Sequence, residues 1–168
     1  SLLPGGYGES VVLRVLNPNA ISVPLEELGI NDRLLKILLH ELKKPNGMIL
    51  NTGPTGSGKT TTLYAFLKKI YSPELKIITI ENPIEYIFEE KNSIIDQREV
   101  GIDTESFQSG LVSAFRQDVN VIMIGEMREA ETVATAVTAG ETGHLVFSTL
   151  HTNNASQTID RIIDTFPA

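Results

Sequence analysis

Residues 53–60 read Gly53-Pro54-Thr55-Gly56-Ser57-Gly58-Lys59-Thr60 and match the phosphate-loop pattern Gly-x-x-x-x-Gly-Lys-Thr. An apolar run at 48–50 predicts a buried strand before the loop. Residues 61–69 after it place apolar side chains on one face of a helix. Because the motif requires this order of strand, glycine-rich loop and helix, the sequence predicts a site for a nucleoside triphosphate.

The residue types within the loop account for the predicted chemistry. Glycines allow the backbone to curl around a phosphate, so that its N–H groups and the positive end of the following helix point inward. Lys59 can then reach the β- and γ-phosphates, and the hydroxyl of Thr60 can bind Mg²⁺. We predict that residues 53–60, together with Thr61 at the start of the helix, bind ATP. A glycine-rich turn that binds nothing is the alternative.

The composition is that of an ordinary globular domain, with 41% hydrophobic and 21% charged residues, and no apolar run approaches the length of a membrane-spanning helix. The net charge is −7 and the basic residues form no long block, which argues against an extended electrostatic contact with nucleic acid. The absence of cysteine excludes disulfides and thiolate metal ligands within these 168 residues.

Apolar runs and helical spacings alternate from the loop onward. Strands are predicted at 76–81, 93–99, 119–125 and 145–150, and helices at 104–117, 129–139 and 155–163. This alternation predicts an α/β fold with a mainly parallel sheet that is covered by helices on both faces.

The residues before this core predict a separate unit. Residues 8–16 form a predicted strand that cannot bury both faces alone, so we assign residues 1–17 to the end of an N-terminal domain. Residues 18–30 are a predicted linker, and Asn31 or Asp32 is predicted to cap a helix that runs to about residue 43. The predicted buried stripe of this helix consists of Leu34, Leu35, Leu38, Leu39 and Leu42. We assign residues 31–168 to the nucleotide-binding core and expect further chain at both ends.

Acidic side chains follow two of the predicted strands. The apolar run at 121–124 leads to Glu126 at the carboxyl end of a strand, where ligands bind in open α/β sheets. Gly125 occupies a position where many phosphate-loop ATPases have Asp, so Glu126 is the candidate for polarising the attacking water. Glu81 could orient Mg²⁺-bound water, with Glu85 in support. A solvated carboxylate at a strand end is the alternative for each of these residues.

Two histidines flank the last predicted strand. His144 follows Thr142-Gly143, and His151 lies in the segment Ser148-Thr149-Leu150-His151-Thr152. They lack partners for a metal site, because the chain has no cysteine and no third histidine at a suitable spacing. We predict that both sense the γ-phosphate, and a purely structural role is the alternative.

Taken in order, these motifs resemble the secretion ATPase superfamily of type II secretion and type IV pilus machines. Four segments carry the resemblance: the loop at 53–60, the acidic box Ile80-Glu81-Asn82-Pro83-Ile84-Glu85, the box Ile124-Gly125-Glu126-Met127-Arg128, and the histidine box at 142–152. The resemblance covers nearly the whole chain. The combination of Gly-Glu with Thr-Gly-His and Leu-His-Thr is highly specific.

The resemblance implies a RecA-like motor domain that acts as a homo-hexamer. It implies a cytoplasmic protein that is peripheral to the inner membrane and acts at its cytoplasmic face. It implies Mg²⁺-dependent ATP hydrolysis, coupled to an integral-membrane platform protein that adds or removes pilin subunits. Arg14 corresponds to an N-terminal-domain arginine that reaches nucleotide and contributes to catalysis in the family. Glu126 corresponds to the catalytic glutamate of the family. Glu81 and Glu85 correspond to its acidic-box residues, and His144 and His151 correspond to its histidine-box residues. Thr60 and Glu81 would hold Mg²⁺, Glu81 through water.

Four positions depart from the family pattern. Asn82 replaces the acidic-box Asp, and Glu129 replaces the Asp after Arg128. Before the strand at 121–124, the family's Arg-Gln-Asp-Pro-Asp run has Val119 in place of Pro and Asn120 in place of the last Asp. Since none of them alters Lys59, Thr60 or Glu126, we expect ATP hydrolysis, with the affinity for Mg²⁺ left open by Asn82.

The resemblance to subtypes is divided. The segments at 97–101, 125–128 and 158–167 are similar to pilus retraction ATPases, whereas 3–16 and 80–86 are closer to extension and secretion ATPases. The C-terminal segments are longer, so retraction is slightly favoured and the direction of the motor stays open.

Two other functions compete with this interpretation. A RecA-like nucleic-acid motor would have the same sheet and loop, but the acidic composition and the lack of aromatic or basic stacking positions disfavour it, so we expect no nucleic-acid partner. A nucleotide-binding switch with little turnover is the second rival, because Asn82 removes an acid from the acidic box.

Overall fold

The computed structural model describes residues 2–11, 23–88 and 94–166. Its strands are β1 Leu2–Gly5, β2 Gly8–Val11, β3 Gly47–Thr52, β4 Lys76–Glu81, β5 Ile94–Glu99, β6 Val121–Ile124 and β7 Leu145–Leu150. Its helices are α1 Asp32–Glu41, α2 Lys59–Ile70, α3 Phe107–Ala114, α4 Ala130–Glu141 and α5 Ala155–Ile163, with a 3₁₀ turn at Leu25–Glu27.

Five strands form a parallel sheet in the order β3-β7-β6-β4-β5. Strand β7 lies between the strand that precedes the phosphate loop and β6, so that Ser148 is the register partner of both Leu50 and Ile124. The predicted α/β fold with a mainly parallel sheet is confirmed. All five carboxyl ends therefore lie along one edge of the sheet, which brings the predicted motifs together.

Helices cover both faces of this sheet and divide the core into two apolar clusters. Alternate residues of β6 point to opposite faces, as expected for a strand. Val121 and Met123 join the cluster that contains residues of α2, and Ile122 and Ile124 join the cluster that contains residues of α3 and α4. Burial on both faces explains why β6 is a continuous apolar run in the sequence.

Part of the predicted linker packs into the core. Leu25 is only 2% exposed and belongs to the same apolar cluster as α2, while Leu28 and Ile30 pack against that cluster. Residues 18–22 lie outside the described residues. The described half of the predicted linker is therefore packed, because its leucine side chains cover the face of α2, and the predicted domain boundaries stay predictions.

Helix α1 begins and packs nearly as predicted. The side chain of Asn31 accepts a hydrogen bond from the backbone N–H of Leu34 at 2.9 Å and caps the helix. Leu35, Leu38 and Leu39 are partly buried against the core, but Leu34 is 46% exposed. The prediction that Leu34 is buried was wrong because only one face of α1 meets the core, and Leu34 is about 100° away from the next residue, Leu35.

Predicted and observed elements agree best where apolar runs are sharply bounded. The bounds of β4, β7 and α5 coincide with their predictions. Helix α3 is shorter than predicted, because a capping box between Ser106 and Ser109 fixes its start after residue 106. The predicted strand at 8–16 is described only as far as Val11, and it pairs with β1 in an antiparallel hairpin. Among the described residues, no helix is both long enough and apolar enough to span a bilayer.

Candidate active site

The backbone of the phosphate loop has positive φ at Gly53, Gly56 and Gly58, a conformation that favours glycine. Gly53 has φ +153°, and a Cβ there would lie 2.7 Å from Oγ of Ser57. Gly58 precedes α2 in the left-handed conformation, and no side chain caps the helix at this residue. The first N–H groups of α2 therefore have no side-chain cap, so they can bind a phosphate.

The side chain of Lys59 is hydrogen-bonded to the backbone of the loop. Its Nζ donates hydrogen bonds to the carbonyl oxygens of Gly53 and Pro54, both at 2.8 Å. An ammonium group has three donors, so a third remains for a phosphate oxygen. The carbonyl of Lys59 accepts from Nδ2 of Asn51 at 3.2 Å, which ties the start of α2 to the end of β3.

One cavity collects most of the predicted site residues. It has a volume of about 700 Å³, within the range of small-molecule sites. The predicted residues that line it are Thr55, Gly56, Gly58, Lys59, Thr60, Thr61, Glu81, Glu85, Glu126 and His151. Gly53, Pro54 and Ser57 belong to the loop but do not line the cavity. Four motifs that are distant in sequence thus meet at the carboxyl edge of the sheet.

Glu126 is positioned by two cationic or potentially cationic side chains. Its Oε2 forms an ion pair with Nε of Arg128 at 3.0 Å and lies 3.2 Å from Nε2 of His151. Among the described residues, no group donates to its Oε1. One oxygen of this carboxylate is therefore fixed by neighbouring side chains, and the other can accept a proton from a ligand or a water.

The residues on either side of Glu126 are fixed to β7 by hydrogen bonds. Oγ1 of Thr149 donates to the carbonyl of Gly125 at 2.8 Å, and the N–H of Met127 donates to the carbonyl of Thr149 at 3.1 Å. These contacts exist because β7 is the neighbour of β6 in the sheet. They hold Glu126 at the strand end that the sequence predicted.

Glu81 is more deeply buried than the sequence suggested, with only 3% of its surface exposed. Its Oε1 accepts from Oγ1 of Thr79 at 2.6 Å and from Nε2 of Gln97 at 3.2 Å, and its Oε2 accepts from the hydroxyl of Tyr64. Burial raises the pKa of this carboxyl, and the three hydrogen bonds oppose the rise. Sequence reasoning missed Tyr64 and Gln97, and the only signal was a tyrosine within a helix that is otherwise apolar on its buried face.

His144 does not lie at this site. It precedes β7, whose six residues span about 20 Å, so it occupies the opposite edge of the sheet from His151. Its Nδ1 lies 3.2 Å from the carbonyl of Ala139, and its ring packs against Phe115. The structure therefore places His144 away from the cavity, and its predicted role as a sensor of the γ-phosphate stays a prediction.

Arg14 lies outside the described residues, so its predicted catalytic role stays a prediction.

The side-chain oxygens of this cavity suit Mg²⁺ only in combination with the oxygens of a bound phosphate. Within residues 2–11, 23–88 and 94–166, no group of three or more acidic or histidine side chains is arranged to hold a metal ion. Mg²⁺ commonly keeps several waters and takes one or two protein oxygens together with phosphate oxygens. Thr60 and Glu81 line the same cavity and fit that pattern.

Comparison with known proteins decides the family. The family model described as Type II/IV secretion system protein matches residues 1–165. The chain belongs to this family.

Relatives from both kinds of machine are similar to it. It is 49% identical over 164 residues to the twitching motility protein of Neisseria gonorrhoeae, and this alignment covers 97% of this chain and 42% of that protein. It is 46% identical over 164 residues to the type II secretion system protein E of Xanthomonas campestris pv. campestris, and this alignment covers 98% of this chain and 28% of that protein. The chain thus spans less than half the length of these relatives.

The fold agrees with the family. The crystal structure of the pilus retraction motor PilT with bound ADP matches with a TM-score of 0.82 and 44% identity, over 99% of this chain and 47% of that one. This family member therefore has a RecA-like core, as the resemblance predicted.

Proposed function

We propose that this protein is a Mg²⁺-dependent P-loop ATPase that drives a type IV pilus or type II secretion machine. The observation that supports this best is the convergence of Lys59, Thr60, Glu81 and Glu126 on one cavity at the carboxyl edge of a RecA-like sheet. Membership of the type II/IV secretion family and similarity to an ADP-bound motor support ATP as the nucleotide.

In this proposal each residue has a separate task. The N–H groups of the loop and Nζ of Lys59 bind the phosphates. Thr60 binds Mg²⁺ directly and Glu81 through water, and the ion, when bound, neutralises charge on the phosphates. Glu126 accepts a proton from the attacking water at Oε1. His151 and Arg128 orient Glu126 through its Oε2.

The working assembly that we propose is a homo-hexamer, peripheral to the cytoplasmic face of the inner membrane, that acts on an integral-membrane platform protein. Its support is the family and the relatives' functions in twitching motility and secretion. Identity to the two relatives is nearly equal, so the proposal includes both machines. We infer no nucleic-acid partner, in keeping with the net charge of −7.

Replacement of Glu126 tests the proposal. Full-length Glu126→Gln should release phosphate about 10²–10⁴-fold more slowly than the wild type, because an amide cannot act as the base. Its affinity for ATP should change little. The matched control is Glu105→Gln, which removes the charge of an exposed acid outside the cavity and should leave both quantities unchanged. A Glu126→Gln variant with a wild-type rate would contradict the assignment.

A nucleotide-binding switch remains the second candidate, because Asn82 lines the cavity where the family has an acid. The two functions differ in turnover. A full-length, assembled protein that binds ATP but releases no phosphate would favour the switch over the motor.

A further inference from the structure

The carboxylate of Glu81 is held by donors from three different elements. The hydroxyl of Tyr64 comes from α2, Oγ1 of Thr79 from β4, and Nε2 of Gln97 from β5. An ionised carboxylate accepts about four hydrogen bonds, so about one position remains for a ligand in the cavity that Glu81 lines. The orientation of that remaining position is therefore determined by the protein.

Packing fixes the Tyr64 side chain itself. Its ring is fully buried, stacks on Phe88 with centroids 5.2 Å apart, and meets Tyr86 edge-on at 6.0 Å. Gln97 secures the same region, because it donates to the carbonyl of Tyr86 at 2.8 Å and accepts from the N–H of Phe88 at 2.7 Å. The Tyr64 hydroxyl thus has little freedom to leave Glu81.

The position of Tyr64 on α2 connects this network to the phosphate loop. Tyr64 follows Thr60 by four residues, so the two side chains lie on the same face of the helix, one turn apart. The side chain that holds Glu81 therefore belongs to the same rigid helix as Lys59 and Thr60. A bond between Tyr64 and Glu81 fixes the separation between the loop and the end of β4.

We propose that Tyr64 is a positioning residue of the candidate active site: its hydroxyl holds the Glu81 carboxylate beside Thr60 and thereby strengthens Mg²⁺-dependent nucleotide binding. This inference rests on the proposed function, and it assigns to Tyr64 a role that acts through Glu81 rather than on the nucleotide.

Tyr64→Phe in the full-length protein removes the hydroxyl and keeps the stacked ring. The measurement is the affinity for a fluorescent ATP analogue, with Mg²⁺ and with EDTA. Tyr64→Phe should reduce the gain in affinity due to Mg²⁺ about ten-fold, since a hydrogen bond to a charged group is lost, and should leave the affinity in EDTA unchanged. The matched control is Tyr86→Phe, which alters a neighbouring ring that is not among the described donors to Glu81, and it should leave both affinities unchanged.

A second comparison tests whether the effect passes through Glu81. In a Glu81→Gln background, Tyr64→Phe should cause little further loss, because the carboxylate that it positions is gone. An additive loss would overturn the proposal. So would an unchanged Mg²⁺ gain in Tyr64→Phe, or an equal loss in Tyr86→Phe.

Two further outcomes are distinguishable. If Tyr64→Phe does not fold, Thr79→Val removes another donor to the same carboxylate, and an unchanged Mg²⁺ gain in that variant overturns the proposal. A wild-type protein that binds no nucleotide under either condition would instead refute the proposed function.

Discussion

Gly125 lies between the two acidic side chains of the candidate active site, and its replacement separates steric from electrostatic constraints. A Cβ at this position would lie 3.5 Å from the carbonyl oxygen of Ile80, 3.6 Å from Cα of Glu81 and 3.9 Å from the ring of Phe107. These are ordinary van der Waals distances, so the structure accommodates alanine. Aspartate adds a carboxylate beyond that Cβ, next to a carbonyl oxygen and between Glu81 and Glu126.

The expected magnitudes follow from this geometry. Gly125→Ala should change the free energy of unfolding by less than about 1 kcal/mol, since the added methyl fits and restricts the unfolded chain. Gly125→Asp should lower it by about 1–3 kcal/mol through overpacking. For a domain of this size that corresponds to a fall in Tm of about 2–12 °C. Like charges should also weaken ATP binding by about ten-fold relative to alanine.

Two assays check this prediction. Thermal unfolding of the 168-residue chain by circular dichroism gives the stability of each variant, and titration of the full-length protein with a fluorescent ATP analogue gives the affinity. An aspartate variant as stable as the alanine variant would refute the steric reasoning. An aspartate variant that binds Mg-ATP as tightly as the wild type would refute the electrostatic reasoning, and would show that this strand end accepts the acid found in other phosphate-loop ATPases.

Three further predictions concern burial and charge. Leu25→Ala should lower the free energy of unfolding by about 2–5 kcal/mol because it leaves a cavity, whereas Leu34→Ala on the exposed side of α1 should cost about 0.5 kcal/mol or less; equal effects in denaturant titrations would contradict the packing of residues 25–30. Burial raises the pKa of Glu81 above its value in the unfolded chain, so the protonated carboxyl favours the folded state. This contribution to the free energy of unfolding is complete below about pH 4.3, the ordinary pKa of Glu, and is lost as the pH rises through the raised pKa. Glu81→Gln should therefore gain stability relative to the wild type as the pH rises from 4 to 7, and a difference independent of pH in parallel melts would exclude this linkage. Lys59→Ala should abolish phosphate release and weaken ATP binding in calorimetric titrations of the full-length protein, because the phosphates lose their closest cation; an unchanged affinity would contradict the assignment of the loop.

The sequence predicted the fold well because its signals were local. Strand β7 and helix α5 have apolar patterns with clear ends, and the phosphate loop requires a strand before it and a helix after it. Glu126 could be placed at the carboxyl edge since a parallel sheet brings all such ends together. For these features the chain itself contained the necessary information.

Other features depend on neighbours that sequence spacing does not reveal. Tyr64 and Gln97 contact Glu81 only because α2 and β5 both pack beside β4, and no local pattern marks that contact. The burial of Leu25 likewise depends on the docking of its segment on α2. The distance of His144 from the cavity has a different origin, since a six-residue strand necessarily separates its two flanking residues, and the sequence alone contained that signal.

The position of β7 beside β3 has a consequence for synthesis on the ribosome. Asn51 in β3 pairs with Thr149 in β7, and the hydrogen bond between Thr52 and Leu150 joins residues 98 positions apart. In the described sheet β3 is an edge strand whose single neighbour is β7. At about 5–20 residues per second, β7 is translated about 5–20 s after β3. For that interval the strand that leads into the phosphate loop lacks the neighbour that it has in the described sheet, so we expect nucleotide binding by a nascent chain to follow the translation of β7.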